Sequence, residues 1–141
     1  MEADALEPIR ILEVIVEKVT APRNDGSRGS GLYMVPLRLS GPASPLWAKV
    51  FVETWDRPPS YTSMHRPGIA RVSGDVLYLD GTTIDEIEKY HKSTLQVVVA
   101  ETNRIVAATE DANRRKAAAD LEQRLKREEE VRTAASKLKF D

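Results

Sequence analysis

TTIDEIEKYHKSTLQVVVAETNRIVAATEDANRRKAAADLEQRLKREEEVRTAASKLKFD, residues 82–141, contains neither glycine nor proline. Those two residues punctuate chains: one loosens the backbone, and the other removes a donor and blocks the helix. Their absence over such a length, with alanine, leucine, glutamate, lysine and arginine abundant, predicts one continuous helix from about 84 to 138. Its start is marked. Thr83-Ile84-Asp85-Glu86 fits a capping box, in which the Thr83 hydroxyl takes the third helical amide and Glu86 reaches back to the amide of Thr83. Asp85, Glu86 and Glu88 place negative charge at the positive end of the dipole, and Lys137 and Lys139 sit at the other end.

Such a helix spans roughly 80 Å at 1.5 Å per residue. A sheet of ordinary strands is only about 17–35 Å across. The first half is therefore expected to pack on a sheet, and the remainder to stand in solvent or meet a partner.

The two halves differ. In the first, Ile84, Ile87, His91, Leu95, Val98, Thr102, Ile105 and Thr109 recur at spacings of three and four. Val97, Val99, Ala100, Val106, Ala107 and Ala108 lie off that stripe, so the helix is apolar on more than one side. A second copy is the economical partner, because most oligomers are symmetric dimers. The interface expected on this reading comprises Leu95, Val97, Val98, Val99, Ile105 and Val106, continued by Leu121 and Leu125.

The second half orders its charges. Glu110–Arg114, Asp111–Arg115, Asp120–Arg124, Glu122–Lys126 and Glu128–Arg132 all place acid before base at four-residue spacing, each worth about 0.2–0.5 kcal/mol. Ala117, Leu121, Leu125, Val131, Ala135 and Leu138 make a thin seam that does not sustain a clean heptad, so a loose coiled coil or docking arm competes with a solvated helix. The expected organisation is a domain over 1–109 and a charged helical extension over 110–141.

Working toward the N-terminus, strands are expected at about 9–19, 32–40, 46–55, 69–72 and 76–79. IRILEVIVEKV, residues 9–19, is rich in β-branched residues. LYMVPLRLS, residues 32–40, carries Pro36, which cannot donate to a ladder and points to an edge or a bulge. In LWAKVFVETW, residues 46–55, Trp47, Phe51 and Trp55 alternate with Leu46, Ala48, Val50 and Val52, which reads as a strand. IARV and VLYL flank Ser73-Gly74-Asp75, a hairpin signal. The fold class expected is α+β: a four- or five-stranded, mainly antiparallel sheet with the first half of a long C-terminal helix on one face.

TWDRPPSYTSMHRPG, residues 54–68, is the best candidate site outside the helix. Pro58, Pro59 and Pro67 stiffen it, while Trp55, Asp56, Arg57, Tyr61, His65 and Arg66 are the residue types that binding hot spots use. The competing reading is a stiff connection, with Trp55 ending an apolar face and His65 bonded to a carbonyl.

Other chemistries are poorly supported. The chain has no cysteine, which excludes disulfides, thiolate metal sites and a cysteine nucleophile. His65 and His91 are the only histidines; with Asp56 they would suit zinc, but no spacing requires it. Gly26, Gly29 and Gly31 lead into a strand without a Gly-Lys-Ser/Thr ending, so a flexible loop fits better than a phosphate cradle. No Gly-x-Ser-x-Gly elbow is present. No cofactor is implied.

Lys plus Arg is 21 and Asp plus Glu is 22, a net charge of -1. Arg114, Arg115, Lys116, Arg124, Lys126 and Arg127 are interleaved with acids, which argues against a nucleic-acid surface. The acidic start, MEADALEPIR, has no apolar signal core, and no segment approaches a membrane span. The expectation is a cytoplasmic, noncatalytic interaction or assembly module that self-associates through its long helix. A small ligand-binding domain or enzyme using the 54–68 loop is the alternative, and nucleic-acid binding through the helix comes third.

Overall fold

The computed structural model describes residues 7–140. Residues 1–6, part of the stretch read for a signal, lie outside them. Four strands, β1 (Ile11–Val14), β2 (Tyr33–Leu39), β3 (Ala70–Ser73) and β4 (Val76–Thr82), form one antiparallel sheet in the order β1-β2-β4-β3. Helix α1 (Pro45–Asp56) lies between β2 and β3 in sequence. After β4 come α2 (Ile84–Glu86), a π-helical turn (Ile87–His91) and α3 (Lys92–Ser136). The fold is α+β with a long C-terminal helix, as expected. Contacts divide the chain into a compact unit ending at Val106 and a second beginning at Ala107.

The first unit has two layers. Val35, Leu37 and Leu39 of β2 share a sheet face with Leu77 and Leu79 of β4, since side chains alternate and the register pairs Val35 with Leu79 and Leu37 with Leu77. Trp47, Phe51 and Trp55 of α1, Ile87, and Leu95, Val98 and Val106 of α3 complete the core. The rings of Trp47 and Phe51 stack at 5.2 Å. On the sheet's other face, Arg71 lies over the ring of Tyr78 at 4.5 Å.

Residues 46–55 are a helix, not a strand. Trp47, Phe51 and Trp55 are four apart, a spacing that suits one face of a strand and one stripe of a helix equally. The start of the segment decides. Ser44 caps it, accepting from the Trp47 amide at 3.1 Å, and Pro45 takes the first position, where its missing N–H costs nothing. Val50 is then buried beside Phe51, at helical rather than alternating spacing.

Residues 9–19 form a shorter strand than expected. The pairing is irregular between Ile11 and Glu13, and the chain turns into a 3-10 helix at Val16–Lys18. That turn explains Pro36. Strand β2 is interior, flanked by β1 and β4. The carbonyl of Pro36 accepts from the Ile15 amide at 2.9 Å, so its nitrogen faces the side where β1 has just ended, and no ladder donor is missed. Strands β3 and β4 make the expected hairpin. Gly74 has φ +61 at the first turn position, as a two-residue connection requires.

In the second unit α3 is exposed throughout, from Ala112 onward. Its charges pair, but not all as expected. Asp111–Arg115 forms at 3.1 Å, and Asp111 also meets Arg114 at 3.5 Å. Asp120 pairs backward with Lys116 at 3.0 Å, and Arg132 takes Glu129 at 2.9 Å rather than Glu128. A flexible cation selects among acids on both neighbouring turns, so sequence order alone does not fix the partner. Among the described residues no helix is long and apolar enough to cross a membrane.

Candidate functional site

The 54–68 loop is organised around Trp55. The last turn of α1 buries this side chain completely. Its indole N–H donates to the Arg66 carbonyl at 2.9 Å, and the Trp55 carbonyl accepts from His65 Nε2 at 2.7 Å. Because a carbonyl only accepts, Nε2 carries the proton. The other ring nitrogen, Nδ1, is buried and has no hydrogen-bond partner among the described residues. The His65 ring packs 4.5 Å from the Trp55 ring and 5.7 Å from that of Tyr61. Asp56 Oδ1 accepts from the Gly68 amide at 2.8 Å and closes the base of the loop.

Arg66 leaves the loop and reaches α2. Its Nε and Nη2 donate to the two carboxylate oxygens of Glu86 at 2.9 and 2.8 Å. The Thr82 hydroxyl donates to the same carboxylate at 3.0 Å. The Arg66 hydrogen bonds, supported by Thr82, hold Glu86 below the ordinary carboxylate range, and Glu86 in turn raises Arg66. The capping box is thereby only half formed. Thr83 Oγ1 accepts from the Glu86 amide at 3.0 Å, but the Glu86 side chain turns to Arg66.

His91 ends the π-helical turn and lies against Trp55 edge-on, ring centres 5.7 Å apart. It is fully buried, and neither ring nitrogen has a hydrogen-bond partner. Glu86 Oε1 is 3.8 Å from Nε2, too far for a hydrogen bond. Burial depresses the His91 pKa; Glu86 pulls the other way, while His65 and Arg66 add to the depression. His91 is therefore neutral at pH 7. π-helical turns often mark functional sites, and this one turns a histidine into the core beside the loop.

Of the residues expected at this site, Trp55, Asp56, His65 and Arg66 are engaged in holding the loop. Arg57 and Tyr61 line a shallow pocket of about 390 Å³ with Asp56, Thr62, Ser63 and His65, and Tyr61 is exposed. Both histidines pack on Trp55, yet among the described residues no group of three or more histidines and carboxylates is placed to hold a metal ion. Glu86 was read as a cap and its partnership with Arg66 was missed, because a contact across twenty residues leaves no local signature.

The expected interface divides. Leu95, Val98 and Val106 belong to the core of the first unit and are at most 8% exposed, too little to carry the expected interface between copies, which corrects that part of the reading. Of the off-stripe residues only Val106 is fully in use, while Ala100, Ala107 and Ala108 stay exposed. Val97, Val99 and Ile105 are half-buried. Leu121 and Leu125, in the second unit, are 44% and 54% exposed.

No protein-family model, curated protein or solved structure matches this chain.

Proposed function

We propose that the protein is a noncatalytic assembly module that self-associates through the distal part of α3. One observation carries this reading: from Ala112 to the end of α3 every residue is exposed, and Leu121, Leu125 and Val131 are each about half exposed on that uncovered helix. In proteins most helical stability comes from packing an amphipathic face rather than from intrinsic propensity, and these apolar residues have no such packing. The balanced charge favours a partner that is equally balanced, which a second copy is. Within the 54–68 loop Asp56 accepts from the Gly68 amide and Arg66 is held by Glu86, which supports a structural over a catalytic role for that loop.

The affinity on this reading is modest. Completing the burial of three half-exposed side chains on each of two helices yields about 5–8 kcal/mol, against an association cost of about 4 kcal/mol or more. The dimer is therefore weak. Its test is sedimentation of the full chain and of a chain ending at Thr109 over rising concentration. Mass that rises for the full chain alone supports the proposal; two concentration-independent monomers overturn it.

A further inference from the structure

We propose that a groove between β1 and the helical segment opposite it receives an extended peptide, which adds to the free edge of β1 as a further strand. This surface lies within the first unit and does not depend on the distal helix.

Among the described residues the sheet order leaves β1 at an edge. Along a strand, the N–H and C=O of one residue point to the same side, and successive residues alternate. The Arg10 carbonyl accepts from the Ser40 amide at 2.8 Å, so Arg10 faces β2. Ile9 and Ile11 must then face outward. At Ile9 the consequence is visible. Its amide donates to Asn103 Oδ1 at 3.2 Å, and its carbonyl accepts from Asn103 Nδ2 at 2.9 Å. The Asn103 side chain does for Ile9 what a neighbouring strand would do.

Ile11 comes next. It pairs with Leu39, whose amide donates to the Asp75 carbonyl at 2.8 Å, away from β1. The polar backbone of Ile11 accordingly points to the free side, one step beyond the end that Asn103 already occupies.

A groove of about 690 Å³ runs along this edge. Every residue from Pro8 to Val14 lines it, those of both alternations together, as happens when a groove follows a strand's edge rather than one of its faces. The facing wall includes Ile84, Ile87, Leu95, Val99 and Ala100. Ile84 and Leu12 are 44% and 47% exposed there. The groove's ionic groups are Arg10 and Lys92 against Glu13 and Glu88, so neither sign of charge is selected.

An outward-facing main-chain donor and acceptor beside an apolar wall ask for two things at once. An extended polypeptide with apolar residues at alternate positions supplies both. An aliphatic ligand would fill the wall and leave Ile11 without a main-chain partner.

The test selects a displayed library of random linear peptides on the full-length protein, then measures the enriched peptide against wild type, Ile11→Pro and Ala100→Arg. Ile11→Pro removes the outward N–H, a position where an edge strand tolerates proline. The expected result is enrichment of alternating apolar peptides, with binding weakened about tenfold or more by either substitution and by N-methylation of the peptide. Failure to enrich any peptide overturns the proposal. So does an N-methylated peptide that binds as tightly as its parent, which would mean filling without strand pairing. A loss of self-association in Ile11→Pro would assign the edge to a second copy instead and overturn it as well. The N-methylated peptide and Ala100→Arg keep the test decisive should Ile11→Pro not fold.

Discussion

Replacing His91 by leucine is expected to stabilise the protein. The imidazole is fully buried and its two ring nitrogens lack partners. An unsatisfied buried polar group costs about 1–3 kcal/mol, and leucine removes both at similar volume. The edge-on contact with Trp55 is lost, worth about 0.5–1.5 kcal/mol. The net expectation is a gain of roughly 1–2 kcal/mol at pH 8, or about 5 °C or more in Tm for a domain of this size. The gain grows in acid. Burial depresses the folded-state pKa of His91 below its ordinary 6.5, so the unfolded chain binds the proton first. Wild type thus holds its full stability above about pH 6.5 and loses it as pH falls toward the folded-state value, while His91→Leu has no such loss. Thermal melts of both proteins across pH 4.5–8 measure this. A leucine variant destabilised by more than about 1 kcal/mol would refute the reasoning, since it would mean that the ring nitrogens have a partner.

Glu86→Gln is expected to cost about 1.5–2 kcal/mol, because it weakens the paired hydrogen bonds to a partly exposed Arg66. The Glu86 pKa lies below its ordinary 4.5 in the folded state, so its contribution is whole above that pH and disappears as pH falls through the folded-state value; acid melts should bring variant and wild type together. Asn103→Ala strands the Trp47 indole N–H and both polar groups of Ile9, with an expected loss of about 2–3 kcal/mol and faster hydrogen exchange at the indole. Gly81→Ala should cost about 1–2 kcal/mol in a denaturant titration, since φ is +126 and the new Cβ would meet Ile69 Cγ2 at 3.3 Å.

The elements with local signatures were legible. Thr83 announced the helix start, Gly74 the hairpin, and the absence of glycine and proline after Gly81 the length of the helix. What failed was ambiguous for a physical reason. Trp47, Phe51 and Trp55 satisfy two periodicities at once, and only the Ser44-Pro45 cap separates them. Pro36 was rightly tied to an interrupted ladder, but the interruption is the end of β1 rather than the edge of the sheet. At the candidate site the loop's composition pointed to Trp55, His65 and Arg66. It did not point to Glu86, Thr82 or Asn103, because each acts through a partner far away in sequence or through a bend in the chain. The apolar residues Leu95, Val98 and Val106 of α3 find their neighbours within the first unit, which the sequence could not specify because those neighbours are distant along the chain.

Light scattering on the full chain and on its Leu121→Glu, Leu125→Glu variant tests the central proposal most directly. The account predicts a wild-type mass that climbs toward that of a dimer with concentration, and a variant that stays monomeric with an unchanged core. Identical masses for the two at every concentration would contradict it.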